Sequence, residues 1–415
     1  MMKRLLNSIG PAIIVAAIVL GPGSILTSSK VGAQYGYPAL GIVALSTVLL
    51  IGMVALAARI GVIYDDSPCD QLAARLGRPV AVIVGLIVFG LVAIFQYSNN
   101  VAIVSGLLPL FESSDSSGPW ISKGSGVTMV LLAFNAFVIF CLYRLRHLYR
   151  SIEKIMKVLV GLMVVAFLIN FAVVLFSPRG YVPVTQEGQR ELMPLFGLMA
   201  TTFSVAGAFY QAYLVKEKGW TLADARRGVS DSVMSISILG LVTAVILITA
   251  TRVFYGRPEP VTLSGVDDVA RQLQPLFGSW AKVIFCVGIL AGATSSFLVN
   301  ALVGGTVLSD ALGKGSRLQS PWPLGLTTLA LLLGMLIAMF NLQDAALGTV
   351  TLITVAQALT VIGLPALALA LIYLGTRPEL TGDRQVPRWI IGLAIVGFVV
   401  ACLLAVRMIL LLASR

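Results

Sequence analysis

Two short stretches of this chain combine residue types that break a helix with residue types that bind a solute. The first is Gly21-Pro22-Gly23-Ser24, set inside an otherwise continuous apolar run. Proline lacks an N–H donor and glycine tolerates non-helical backbone, so two half-helices are expected to meet there. The second, Thr201-Thr202-Phe203-Ser204-Val205-Ala206-Gly207-Ala208, places small and hydroxyl residues in the middle of another apolar run. Where a helix breaks away from water, its freed N–H and C=O groups must be satisfied by side chains or by a ligand. The N–H ends carry positive partial charge and suit an anion. Hydroxyls and amides that can join them are Ser24, Thr27, Thr201, Thr202, Ser204, Gln211, Gln357, Tyr97, Asn99 and Asn100. The same residues also suit a kink or a seam where helices pack closely. Their occurrence at corresponding places in the two halves of the chain favours a binding site.

The elements that must position these groups are membrane helices. The chain has 415 residues, 58% hydrophobic and only 11% charged, with a mean hydropathy of +0.96, which is too apolar for a water-soluble domain. A nucleic-acid enzyme and a secreted disulfide scaffold are both excluded by this composition, and no nucleic-acid partner is expected. Apolar runs of membrane-crossing length predict eleven helices, at residues 8–34, 37–60, 80–108, 127–145, 152–176, 193–215, 229–251, 276–308, 322–340, 348–374 and 388–411. Most of the 29 Lys and Arg fall on the side of the N-terminus, including the basic stretch 144–150. That bias predicts a cytoplasmic N-terminus and an external C-terminus in the plasma (inner) membrane. Cys141, Cys286 and Cys402 lie inside apolar spans and Cys69 in a loop, so a disulfide framework is not expected. No cleavable signal peptide is read at the start.

Five helices, five more and one extra is the arithmetic of a transporter built from two inverted repeats. The repeats are placed at residues 1–176 and 177–374, with the eleventh helix in 375–415. None of the 18 Asp and Glu is expected at mid-membrane in helices one, three, six, eight or ten. A dication stripped of water needs charged oxygen ligands or must keep its hydration, so transition-metal transport is not expected from these residues. The sole histidine, His147, lies in the basic loop after helix four and is not a mid-membrane proton relay. Gly21-Pro22-Gly23 also lacks the strand–helix context and following Lys of a phosphate-binding loop. Lys30, on the outer half of the first helix, either draws an anion inward or snorkels to the interface.

Gly10-Pro11-Ala12, the Gly21-Pro22-Gly23-Ser24 break, Thr27 and Gly32-Ala33-Gln34-Tyr35-Gly36-Tyr37 resemble the first helix of the Nramp (natural-resistance-associated macrophage protein) divalent-metal transporters. Residues 67–79 are similar to the family's amphipathic loop before helix three, 152–170 to its fifth helix, 291–304 to its eighth and 357–365 to its tenth. The resemblance implies the all-α APC-superfamily fold, an inverted 5+5 repeat plus one helix, with alternating access around a mid-membrane site. It also exposes departures. The family's first-helix motif is Asp-Pro-Gly-Asn, and here Gly21 and Ser24 stand at its Asp and Asn. Its sixth-helix Met-Pro-His falls within Ser204-Val205-Ala206-Gly207, and its acidic pair on helix three falls on Tyr97 and Asn100. Of its side-chain ligands, Gln357 persists.

The residues therefore predict a secondary transporter rather than an enzyme, carrying a small anion such as bicarbonate or a short carboxylate. Substrate contacts are assigned to Gly21, Pro22, Gly23, Ser24, Thr201, Thr202, Ser204, Gln357, Tyr97, Asn100 and Gln211. The alternatives are transport of a largely hydrated cation such as Mg²⁺, or a sensor that kept the fold and lost the site. Ala291-Gly292-Ala293-Thr294-Ser295 is similar to the paired hydroxyls by which sodium-coupled members of the superfamily hold Na⁺. The resemblance implies a sodium site at Ala291, Thr294 and Ser295, completed by carbonyls freed near Val19 and Leu20. No other cofactor is expected; the partners are the ion or small-molecule substrate and the lipid bilayer.

Overall fold

The computed structural model describes residues 10–107, 110, 124–144, 165, 167–176, 181–182, 184, 191–258, 263–318, 320–343 and 348–414, and among these no strand occurs. The basic stretch 145–150 with His147, and the start of the fifth predicted span, lie outside the described residues.

The first apolar run is two helices, α1 (Ala12–Val19) and α2 (Pro22–Tyr35). Leu20 closes α1 at φ −80°, ψ 51° with its N–H on the Ala16 carbonyl, and Gly21 is extended at φ −91°, ψ −179°. Pro22 then opens α2, where its missing N–H costs nothing because first-turn donors have no helical partner anyway. Next come α3 (Ala39–Ile63), the amphipathic α4 (Pro68–Leu76), α5 (Arg78–Leu107), α6 (Gly124–Arg144) and α7 (Phe167–Phe176). Ser67 caps α4 by accepting the Asp70 N–H.

The sixth predicted span divides in the same way as the first, into α8 (Met193–Thr202) and α9 (Val205–Glu217). Phe203 closes α8 at φ −98°, ψ 57°, and Ser204 leads into α9 at φ −75°, ψ 87°. Leu20 and Phe203 thus end their half-helices in nearly the same inverse-γ-like conformation, which is the backbone signature of two corresponding breaks. The remaining long helices are α10 (Ala225–Phe254), α11 (Ala281–Ala311), α12 (Pro321–Gln343), α13 (Thr349–Leu359), α14 (Leu364–Gly375) and α15 (Arg388–Ala413). The tenth span, expected as one helix, is interrupted by a 3-10 turn at Thr360–Gly363. Pro365 follows it and cannot donate into the preceding turn.

Nine helical stretches among the described residues are long and apolar enough to cross a membrane. The broken α1/α2 pair and the shorter apolar α7 accompany them. The core lies where α5, α11 and α12 pack against one another and where α2 and α3 pack against α10. Phe137 and Phe140 on α6 and Leu403 and Leu410 on α15 are exposed, as lipid-facing side chains of peripheral helices are. The end of the bundle at which α1 begins is called proximal below, and the end at which α2 finishes is called distal.

Candidate functional site

The two breaks meet around one small pocket. Its lining is Ile18, Val19, Gly21, Gly23, Ser24, Phe95, Asn99, Thr201, Ser204, Ser296, Asn300 and Gln357. About 10 Å³ is left for the centre of a water-sized guest, close to what a single ordered water requires. Neither Gly21 nor Ser204 provides a side-chain cap for the helix it opens, so the first-turn N–H groups of α2 and α9 reach the pocket margin uncapped. The carbonyl end of α1 lies on the same pocket at Ile18 and Val19. A positive and a negative helix end therefore face one cavity.

Two glycines make this closeness possible. A Cβ on Gly21 would lie 2.7 Å from Ser296 Oγ, and one on Gly23 would lie 2.3 Å from Gln357 Nε2. Gln357 donates to Ser98 Oγ at 2.9 Å while its Oε1 is buried without a hydrogen-bond partner among the described residues, as is Ser24 Oγ. Ser296 donates to the Ile18 carbonyl at 3.4 Å and accepts from Asn300 Nδ2 at 2.9 Å. The pocket thus offers a buried hydroxyl, a buried amide oxygen and two free helix ends, with no carboxylate in its lining. Among the described residues no group of three or more His, Cys, Asp or Glu is placed to hold a metal ion.

The sequence-predicted residues divide. Gly21, Gly23, Ser24, Thr201, Ser204 and Gln357 line the pocket, and Val19 with them. Pro22, Thr202, Tyr97, Asn100, Gln211 and Leu20 do not. Asn100 faces away: it donates to the Gln96 carbonyl and accepts from Asn135 on α6 at 2.8 Å. Its neighbour Asn99 takes the pocket position because adjacent residues on a helix point about 100° apart. Gln211 is buried with both amide atoms unpartnered among the described residues, two turns along α9 from Ser204. The hydroxyl group expected to hold sodium is also one step out of phase. Thr294 donates back to the Leu290 carbonyl at 2.7 Å, and Ala291 and Ser295 are absent from the lining; Ser296 faces the α1 end instead. Sequence reasoning did not single out Ser296, Asn300 or Phe95. Ser296 and Asn300 share the polar face of α11 at the i, i+4 spacing, and that spacing is the signal that was available.

At the proximal face, two buried carboxylates tie the half-helices to their neighbours. Asp231 on α10 accepts from the Gly10 N–H at 2.6 Å and the Ala12 N–H at 2.9 Å, capping α1. Asp310 on α11 accepts from Ser67 Oγ at 2.7 Å, Tyr213 Oη at 2.7 Å and the Cys69 N–H at 3.3 Å. This joins α4, α9 and α11. Burial and the adjacent Asp310 push the Cys69 thiol well above its ordinary pKa.

A family model described as natural resistance-associated macrophage protein-like matches residues 12–411. The chain belongs to the Nramp family. As a member it is a multi-pass membrane transporter and not an enzyme. Among its relatives, the divalent metal cation transporter MntH of Xanthomonas campestris pv. campestris is 25% identical over 411 residues, covering 94% of this chain and 87% of that one. The MntH of Listeria innocua is 23% identical over 327 residues, covering 75% of this chain and 69% of that one. The manganese transporter of Eremococcus coleocola has the same fold at a TM-score of 0.75 and 17% identity, covering 97% of this chain and 86% of that one. The fold extends to MhsT, solved with L-phenylalanine, at a TM-score of 0.57 and 16% identity over 95% of this chain and 98% of that one. It also extends to the nucleobase-cation-symport-1 transporter Mhp1, at 0.58 and 11% over 97% and 90%. The architecture of this Nramp protein is therefore the all-helical fold that these transporters share. Gly23 and Gln357 line its pocket, and Ser296 packs against Gly21, which stands where the first-helix motif that this stretch resembles carries an aspartate.

Proposed function

We propose that this Nramp protein is a secondary transporter for a small anion, of the bicarbonate or short-carboxylate class, with Na⁺ as the coupling ion. The observation that carries the reading is the pair of uncapped helix N-termini, of α2 and α9, at a pocket lined only by apolar and uncharged polar residues. Positive partial charge at those ends is unopposed by any lining carboxylate, so a negative guest is stabilised there. The Ser24 hydroxyl would donate to it, and the small cavity supports a solute of only a few atoms. The carbonyl end of α1 at Ile18 and Val19 supplies the opposite preference. We place Na⁺ there, with Ser296 and Asn300 beside it, in place of Thr294 and Ser295. A cation at one end of the pocket and an anion at the other offset each other's charge, and this supports their movement together. The N-terminus is assigned to the cytoplasm on the Lys and Arg bias, and residues 1–176 and 177–374 to the two repeats on the matching breaks at Leu20 and Phe203.

A second reading follows from the relatives: both curated ones compared above are named as divalent metal cation transporters, and the Eremococcus coleocola protein as a manganese transporter. With no carboxylate in the lining, such a cation would have to keep most of its water. Flux into proteoliposomes decides between the readings: radiolabelled bicarbonate and small carboxylates against Mg²⁺ and Mn²⁺, each with and without a sodium gradient. Sodium-dependent anion uptake is expected. Uptake of Mg²⁺ or Mn²⁺ with no anion flux would replace the anion reading by the second one.

A further inference from the structure

Lys30 is the one basic residue on α2, and it is only 7% exposed. A lysine that snorkelled would leave its ammonium in water. Here Nζ lies 3.4 Å from Thr351 Oγ1 on α13 and 3.4 Å from the Glu191 carboxylate, whose side chain is 63% exposed. Tyr35 Oη donates to the Glu191 backbone carbonyl at 2.9 Å and holds that residue beside the end of α2.

Helix geometry connects this ammonium to the pocket. Lys30 follows Gly23 by two turns on the same face of α2, about 10 Å further toward the distal end. Gly23 touches Gln357 of α13 at the pocket, and Lys30 touches Thr351 of the same helix above it. Between the two contacts the seam is shut by small groups: a Cβ on Gly197 of α8 would meet Thr27 Cγ2 at 3.1 Å and the Thr354 carbonyl at 3.2 Å. Lys30 therefore stands at the distal mouth of the seam that leads along α2 and α13 to the pocket.

We propose that Lys30 is the recruitment and selectivity residue of this mouth: an entering anion replaces the Glu191 carboxylate at the ammonium before the seam opens to the pocket. The inference rests on the anion reading above for its substrate class and adds where the anion first binds. An ion pair with one exposed partner is worth little, so an incoming anion exchanges for Glu191 at small cost. A cation cannot take the carboxylate's place at the ammonium, so that exchange is closed to it.

The test is the modification rate of Thr354→Cys by anionic and cationic methanethiosulfonates. It uses the full chain in detergent, where both faces are accessible, with each rate divided by that of a free thiol. The chain without the added cysteine is the control. The anionic reagent is expected to be favoured roughly tenfold, within the range that charged clefts impose on association. Lys30→Gln should bring the ratio to about one, Lys30→Arg should keep it, and Glu191→Gln should raise the anionic rate. Equal rates with Lys30 in place, a ratio unchanged in Lys30→Gln, or no modification by either reagent would each overturn the proposal. Absence of anion flux in liposomes, with the Lys30-dependent ratio intact, would remove the anion reading and leave Lys30 as a charge filter.

Discussion

A side chain at Gly21 cannot coexist with Ser296 where it stands: the Cβ would lie 2.7 Å from Ser296 Oγ. The Ser296 hydroxyl in turn reaches the Ile18 carbonyl at the last turn of α1. The first-helix motif that this stretch resembles has an aspartate at the Gly21 position, and here the Ser296 hydroxyl closes on that place. Gly21→Ala should therefore lower the maximal transport rate by roughly tenfold or more, and Gly21→Ala with Ser296→Gly should recover most of that rate when both are measured at saturating sodium. Flux in proteoliposomes reads both; equal loss in the double variant would show that the two positions are not coupled. Gly21→Asp should weaken anion uptake further, because it puts a like charge in the helix-end field.

Asp310 holds three donors from two other elements, Ser67, Cys69 and Tyr213. Asp310→Ala would leave all three buried and unpaired at about 1–3 kcal/mol each before relaxation. A fall in the thermal unfolding midpoint in detergent is expected, larger than that of Tyr213→Phe, which deletes one donor and leaves its acceptor oxygen still bonded to the Cys69 N–H. A midpoint unchanged in Asp310→Ala would mean the three contacts contribute nothing net.

The same burial makes Cys69 inert. Its thiol is held protonated by desolvation and by Asp310, and thiolate is the reactive form. At pH 8 the peptide carrying Cys69 should stay unmodified by N-ethylmaleimide in the folded protein and become modified on denaturation, as read by mass spectrometry. Rapid labelling of the folded protein would contradict the packing of α4 against α11.

What could be read in advance followed the strength of the local signal. Gly21-Pro22-Gly23 inside an apolar run reads as a break or a kink, and the structure has the break. The second break carries no proline, yet its hydroxyl and small residues located it, with Phe203 and Ser204 at its centre. Helix phase was not legible. Choosing Asn99 over Asn100, or Ser296 over Thr294 and Ser295, needs the direction of the neighbouring helices, and a run of adjacent polar residues points in every direction in turn. The 3-10 turn at Thr360–Gly363 is marked in the sequence only by Gly363 and Pro365, set apart by Leu364 rather than adjacent as at Gly21-Pro22-Gly23. Lys30 was visible as a residue, but its burial depends on Thr351 and Glu191, which are distant in the chain.

Gln211 gives a prediction with two readouts. Both of its amide atoms are buried without a partner among the described residues, and its face of α9 is that of Ser204. An unpaired buried amide costs about 1–3 kcal/mol, so Gln211→Leu should raise the unfolding midpoint. If the amide serves the proximal route from the pocket, the same variant should also slow transport. A rise in stability with transport unchanged would assign Gln211 no part in the route.

The final prediction separates the sodium positions. Thr294 spends its hydroxyl on the Leu290 carbonyl of its own helix, whereas Ser296 and Asn300 line the pocket beside Ile18 and Val19. A ligand to Na⁺ must present its oxygen to the site, and a hydroxyl that bonds back within its helix does not. Thr294→Val should therefore leave both the maximal rate and the sodium concentration at half-maximal uptake unchanged. Ser296→Ala should raise that sodium concentration by roughly tenfold, the effect of about 1.4 kcal/mol, while saturating sodium restores the rate. The two variants are to be compared in one preparation, with uptake measured against sodium at a fixed anion concentration. A larger sodium shift in Thr294→Val than in Ser296→Ala would return the site to the Thr294 face of α11. Uptake that is independent of sodium in the unmodified protein would remove the sodium site and leave the anion pocket to be judged on its own flux.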